Sequence, residues 1–247
     1  ELPSFAHVML RQTNAPLVVS ALVIYALAGA IAWFLSKRRP RLVERLNSAE
    51  RGWVVALAVV STAYFLGYTW LSLHCYRKLM CGAWDLGVFD SLFNNALQGR
   101  FFQDFRGPFD HFQPIYLLFA PLYALWRDAR LLLVLQTLLF TAAAVPLYLL
   151  GREVTGRKSI GALLGIMYLL YPMLGEANLY DFHMLSASPL CFFTMLLFMV
   201  RGKWLWYWVF LVLTLCVKES ESIIVFGVGL YLVSRREYLR GVVTTAV

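Results

Sequence analysis

Charge is what this chain has least of: 15% of its 247 residues are Asp, Glu, Lys or Arg, where soluble domains carry about 25%. A surface so poor in charge would set wide apolar patches against water, which soluble proteins avoid. The 60% hydrophobic content and the mean hydropathy of +0.66 fit lipid as the solvent instead. Signals for several enzyme classes are missing too. There is no Walker loop, G-x-S-x-G elbow, H-E-x-x-H helix or G-x-G-x-x-G turn, and no internal repeat. Cysteines number four. Cys191 and Cys216 lie inside apolar runs and read as small hydrophobes. Cys75 and Cys81 lie in a polar loop where a disulfide is allowed, and with His74 they match no standard zinc spacing. No small-residue cleavage site follows the first apolar run, so a secretory signal peptide of the usual form is absent. The chain opens at Glu1 without a Met and stops at Val247 just as a new apolar run begins. It reads as the N-terminal part of a longer protein.

A transmembrane helix needs about 20 mostly apolar residues. Residues 15–35 and 52–73 meet this cleanly, and shorter runs cover 131–150, 160–175, 185–200, 204–217 and 222–233. The expected fold is all-α, a polytopic transmembrane bundle. Its organisation is an N-terminal extra helix and basic loop over 1–51, followed by a transmembrane domain over 52–247. The stretch 112–126 holds Pro114 and Pro121 and decides the topology. Lys and Arg in short loops favour the cytoplasm, so the segment from Lys37 to Arg51 is inside. If 112–126 is re-entrant or interfacial, then Arg152, Arg157, Lys158, Arg201, Lys203, Arg235, Arg236 and Arg240 are inside as well. The inside then holds fourteen basic and four acidic residues and the outside eight basic and ten acidic, which accounts for the net +8. The positive charge is thus a topology signal, and nucleic acid is excluded as a partner. All six aspartates fall outside.

Three outer segments carry residue types capable of chemistry. The first holds Asp85 and Asp90 beside Trp84 and Phe89, with Asp110-His111 further on. Carboxylates among aromatics near a membrane surface suit a general base or a divalent-ion ligand, although Asp is equally a common helix N-cap. His111 suits phosphate binding or proton transfer. The second segment holds Asn178, Asp181 and His183. The third is Lys218-Glu219-Ser220-Glu221, a charged hairpin near membrane depth, where ionisable groups are costly and usually face a cavity or each other.

The runs WDLGVFDSLFNNALQG, DHFQPIYLLFAPLY, Gln136 in the next helix, YPMLGEANLYDFHMLSASP and VKESESIIVFGVGLYL resemble a family of polytopic membrane proteins of uncharacterised activity. That family is similar to the GT-C superfamily of glycosyltransferases, which use polyprenyl-phosphate-linked sugars. The likeness runs from about residue 52 to 233. It implies a long extracytoplasmic first core loop with short interfacial helices and a catalytic Asp. By position Asp85 is the first candidate for that Asp and Asp90 the second. His111 and Pro114 match a His-Pro-Pro-type motif in part, and Asp181 stands where a later outer-loop Asp often sits. The implied reaction has an Asp act on an acceptor hydroxyl, which displaces the polyprenyl phosphate. Lys218, with Arg77 or Lys78, neutralises the leaving phosphate, and His183, Glu219 and Glu221 complete the substrate-binding set. The implied partners are a polyprenyl-phosphate-linked sugar and membrane lipid. No cofactor beyond a divalent ion is expected, and the location is a bacterial inner membrane with the active face extracytoplasmic. Two other classes fit the same residues: a transporter or lipid-handling protein, and a non-catalytic membrane subunit.

Overall fold

The computed structural model describes residues 50–81 and 84–246. The helix expected over 15–35 and the basic loop through residue 49 lie outside the described residues, while Glu50 and Arg51, expected in that loop, are helical. Helix α1 (Glu50–Arg77) extends the expected 52–73 run at both ends. Its 28 residues reach about 42 Å, more than the ~30 Å hydrocarbon core. Only 11% of its most apolar window is buried, and Val55, Val59, Leu66 and Trp70 stand exposed, a surface suited to lipid. The end is a Schellman turn, with the Met80 amide on the Cys75 carbonyl and the Leu79 amide on that of Tyr76.

Two short helices follow before the next long one, α2 (Leu86–Ala96) and α3 (Tyr116–Leu125). Between them lies a minimal antiparallel hairpin, β1 (Gln103–Asp104) and β2 (Gly107–Pro108). Asn95 Nδ2 donates to the Gln103 carbonyl at 2.9 Å and ties the hairpin to α2. The apolar stretch expected over 112–126 is helical only from Tyr116, after Pro114. At ten residues, about 15 Å long, α3 is too short to cross a bilayer.

Helix α4 (Ala129–Thr155) is the central element, with 61% of its most apolar window buried. Its ends are set chemically. Asp128 accepts from the Arg130 amide at 2.8 Å as an N-cap, and Gly156 closes the other end at φ +71°, a left-handed position that suits glycine. The run expected over 160–175 divides into α5 (Lys158–Leu169) and α6 (Pro172–Leu179), bent by 47°. Pro172 starts the second piece, since proline lacks the amide that would continue the first. Residues 176–179, expected in a loop, are therefore helical, which confines the loop to 180–183. A 3₁₀ turn (Met184–Ala187) leads into α7 (Ser188–Val200), then α8 (Trp204–Leu215), α9 (Glu221–Ser234) and α10 (Tyr238–Ala246).

Among the described residues two helices, α1 and α4, are long and apolar enough to cross a membrane, and α5 with α6 makes a third if the bent pair counts as one span. One buried cluster joins α2, α3, the start of α4 and the 3₁₀ turn. A second joins α1, α4 and α5, and a third joins α7, α8 and α9.

Candidate functional site

Asp85 occupies the N-cap position of α2, yet its side chain makes no capping hydrogen bond. Its Oδ1 faces His183 Nε2 at 3.4 Å, close enough for an ion pair though long for a hydrogen bond. The carboxylate thus turns to a partner from a distant part of the chain rather than to its own helix. Both side chains remain open to solvent, 36% exposed for Asp85 and 39% for His183, so a substrate can reach them. His183 precedes the 3₁₀ turn. The Tyr180 ring stacks on its imidazole at 5.5 Å, and the Phe89 ring meets it at 6.3 Å.

A second pair lies along the same aromatic row. Phe89 touches Phe109, and Phe109 touches His111. His111 Nδ1 stands 2.8 Å from Glu219 Oε1. The Ile115 amide donates to the Cys216 carbonyl at 3.1 Å, so the chain before α3 is held against the turn between α8 and α9. Lys218 is half-buried in that turn and its carbonyl accepts from the Glu221 amide. The structure therefore brings His111, Lys218 and Glu219 into one neighbourhood.

The Glu219 carboxyl is held below its ordinary value of 4.5, first by its own backbone amide and then by His111. A lowered folded-state value gives stability that is complete above about pH 4.5 and is lost as pH falls through the folded-state value. Exposures of 42% for His111 and 51% for Glu219 limit the effect to under about 1 kcal/mol. Glu219→Gln is expected to flatten the acid side of a plot of thermal midpoint against pH. Superimposable curves for the two proteins would remove this pair from the ledger.

The other expected site residues are placed differently. Asp90 accepts a 2.5 Å hydrogen bond from the Tyr123 hydroxyl, joining α2 to α3. Glu221 is only 5% exposed and accepts from the Ser188 hydroxyl, turned into the bundle rather than toward solvent. Asp181 sits at φ +41°, and its carboxylate lies near the Cys81 thiol. Burial, then Asp181, pushes that thiol up to about 12. Cys75 and Cys81 are both free thiols. Arg77 and Lys78 stand exposed where α1 ends, a few residues before Cys81.

Asp85 and His183 supply two donors for an ion. Among the described residues no group of three or more His, Cys, Asp or Glu converges, so these side chains alone make no complete metal cage. The arrangement can instead hold and move a proton. An apolar groove of about 390 Å³, lined by Leu150, Val154, Val200 and Tyr231 among others, lies toward the far end of α4 and is no part of this site.

Three contributors escaped the sequence reading as site residues. Tyr123 and Ser188, the partners of Asp90 and Glu221, carried no usable signal. Gln136 did. It is the amide side chain of the run LLLVLQTLLF, where Thr137 is the other polar residue, and a buried amide is costly unless bonded. At 1% exposure it bonds the loop that carries His183.

Residues 75–247 match the model of the family described as Predicted membrane protein (DUF2079). No curated protein and no solved structure matches the chain.

Proposed function

The chain belongs to the DUF2079 family of predicted membrane proteins, and from that premise we propose that it is a multi-pass glycosyltransferase. It moves a sugar from a polyprenyl-phosphate donor to an acceptor on the extracytoplasmic side of the cell membrane. One observation carries this reading: Asp85 and His183, far apart in sequence, face each other at 3.4 Å with both side chains solvent-accessible and an aromatic ring stacked on the imidazole. A carboxylate–imidazole pair bordered by aromatic rings suits a sugar hydroxyl that must lose a proton.

The orientation has separate support. The Glu153–Arg201 ion pair closes at 2.7 Å beside Arg152, and Glu153 lies about 25 Å further along α4 than Gln136. Arg157 and Lys158 follow it. Arg152, Arg157, Lys158 and Arg201 thus gather at the end of α4 remote from the Asp85–His183 pair, as the positive-inside rule expects of a cytoplasmic face.

In the proposed reaction the acceptor hydroxyl oxygen forms a bond to the anomeric carbon as the bond from that carbon to the phosphate oxygen breaks. The hydroxyl proton passes to Asp85, and His183 steadies the carboxylate. The polyprenyl phosphate leaves with the electron pair, its charge offset by Lys218 with Arg77 or Lys78. His111 and Glu219 border the donor phosphate. The lipid tail stays between helices, so the donor never leaves the bilayer.

The test uses the purified full chain in liposomes, with synthetic polyprenyl-phosphate donors bearing labelled sugars and a pool of sugar acceptors. Label is expected to move to an acceptor as free polyprenyl phosphate appears. Folded protein that releases no polyprenyl phosphate from any donor overturns the assignment.

A further inference from the structure

We infer that Gln136 is the positioning residue of this site, its side-chain amide fixing the 178–183 backbone so that the His183 imidazole meets Asp85. The inference rests on the Asp85–His183 pair being the functional one. Gln136 is buried in α4, where any apolar residue of similar size would serve packing alone. Its Nε2 donates to the Asp181 carbonyl at 2.6 Å and to the Asn178 carbonyl at 3.1 Å. Its Oε1 accepts from the His183 amide at 2.8 Å. The side chain therefore bonds the backbone on both sides of Phe182, as a neighbouring peptide group would.

The bonded segment needs such a clamp. Asp181 has φ +41°, a left-handed conformation that a residue with a Cβ adopts at a cost and keeps only where its surroundings hold it. Gln136 grips the carbonyl of that residue and the amide two positions later. Beside it, Asn178 Nδ2 donates to Thr137 Oγ1 at 3.1 Å, so consecutive residues of α4 hold both ends of the loop. The direction of the His183 side chain follows from its backbone, and the Tyr180 ring stacked on it comes from the same loop. Loosening the clamp lets the imidazole leave Asp85 while His111 and Glu219, on other elements, stay paired.

The chain has four histidines, so ¹⁵N-histidine labelling of the full protein in detergent gives a spectrum simple enough to assign with single His→Gln variants. In the native background Asp85→Asn is expected to shift the His183 ring signals, and Glu219→Gln those of His111. Gln136→Met and Gln136→Glu are then each combined with these two changes. Gln136→Glu keeps an acceptor for the His183 amide but loses the donor for the Asp181 carbonyl. The expected result is loss of the His183 response to Asp85→Asn, with the His111 response to Glu219→Gln retained, in at least one of the two variants. A His183 response that survives in both overturns the role of Gln136 and leaves the functional reading standing. Loss of both responses in both variants also overturns it, since Gln136 would then support the whole fold. If Asp85→Asn leaves His183 unmoved in the native background, the pair itself falls, and the functional reading with it.

Discussion

Gly161→Val is expected to unfold the protein at a far lower temperature than the native chain, through a loss above the ~1–3 kcal/mol typical of overpacking. A Cβ at Gly161 would stand 2.3 Å from the Tyr148 carbonyl oxygen and 3.0 Å from the Arg152 amide nitrogen. Both are backbone atoms of α4, so no rotamer change relieves the contact. Gly151 on α4 faces the same crossing, where a Cβ would meet the Gly161 Cα at 2.9 Å. Backbones that close are what small residues permit between helices in lipid, where apolar burial alone gives no drive to associate. The control is Gly67→Ala. Gly67 lies inside α1 with nothing within 4 Å of an added Cβ, and replacing a mid-helix glycine with alanine gains about 0.5–1 kcal/mol. Thermal midpoints in one detergent should therefore move in opposite directions. A Gly161→Val protein as stable as the native one would mean that α4 and α5 do not touch.

Among the described residues, helices were readable where an apolar run was long, but their ends were not, because the capping residues were not read as caps. The run over 131–150 grew to Ala129–Thr155 because Asp128 and Gly156 supply the two caps. The run over 160–175 broke because Pro172 begins a new helix. Residue types at the site were legible as polar islands in an apolar chain, but their pairing was not. Asp85 meeting His183, and His111 meeting Glu219, are contacts between distant segments that no local period encodes. An N-cap role was open to Asp85 or Asp90 alike; Asp85 takes the position, but its side chain makes no cap and turns away from its helix. Gln136 was quoted only as part of the family likeness, and nothing local said that its side chain bonds a loop some forty-five residues on.

Asp85→Asn and Asp90→Asn should separate chemistry from structure, although both remove one carboxylate from the same short helix. Asn at position 85 keeps the size and an acceptor oxygen but cannot take a proton, so transfer should fall by about 10²–10⁴-fold, the usual contribution of a general base. Stability should barely change, because a half-exposed His–Asp pair is worth at most about 1 kcal/mol. Asp90 instead holds the Tyr123 hydroxyl at 2.5 Å between α2 and α3. Hydrogen bonds to a charged group contribute about 1.5–3 kcal/mol, so Asp90→Asn should lower the thermal midpoint visibly while transfer falls by less than about tenfold. The two variants then rank in opposite order on the two measurements. Adding His183→Ala to Asp85→Asn tests whether the pair works as a unit. If it does, the double variant is little slower than Asp85→Asn alone, because residues acting together are not additive. If Asp90→Asn costs more transfer than Asp85→Asn at equal folded fraction, the base is Asp90, its proton path runs through Tyr123, and the Asp85–His183 pair is left with a binding role.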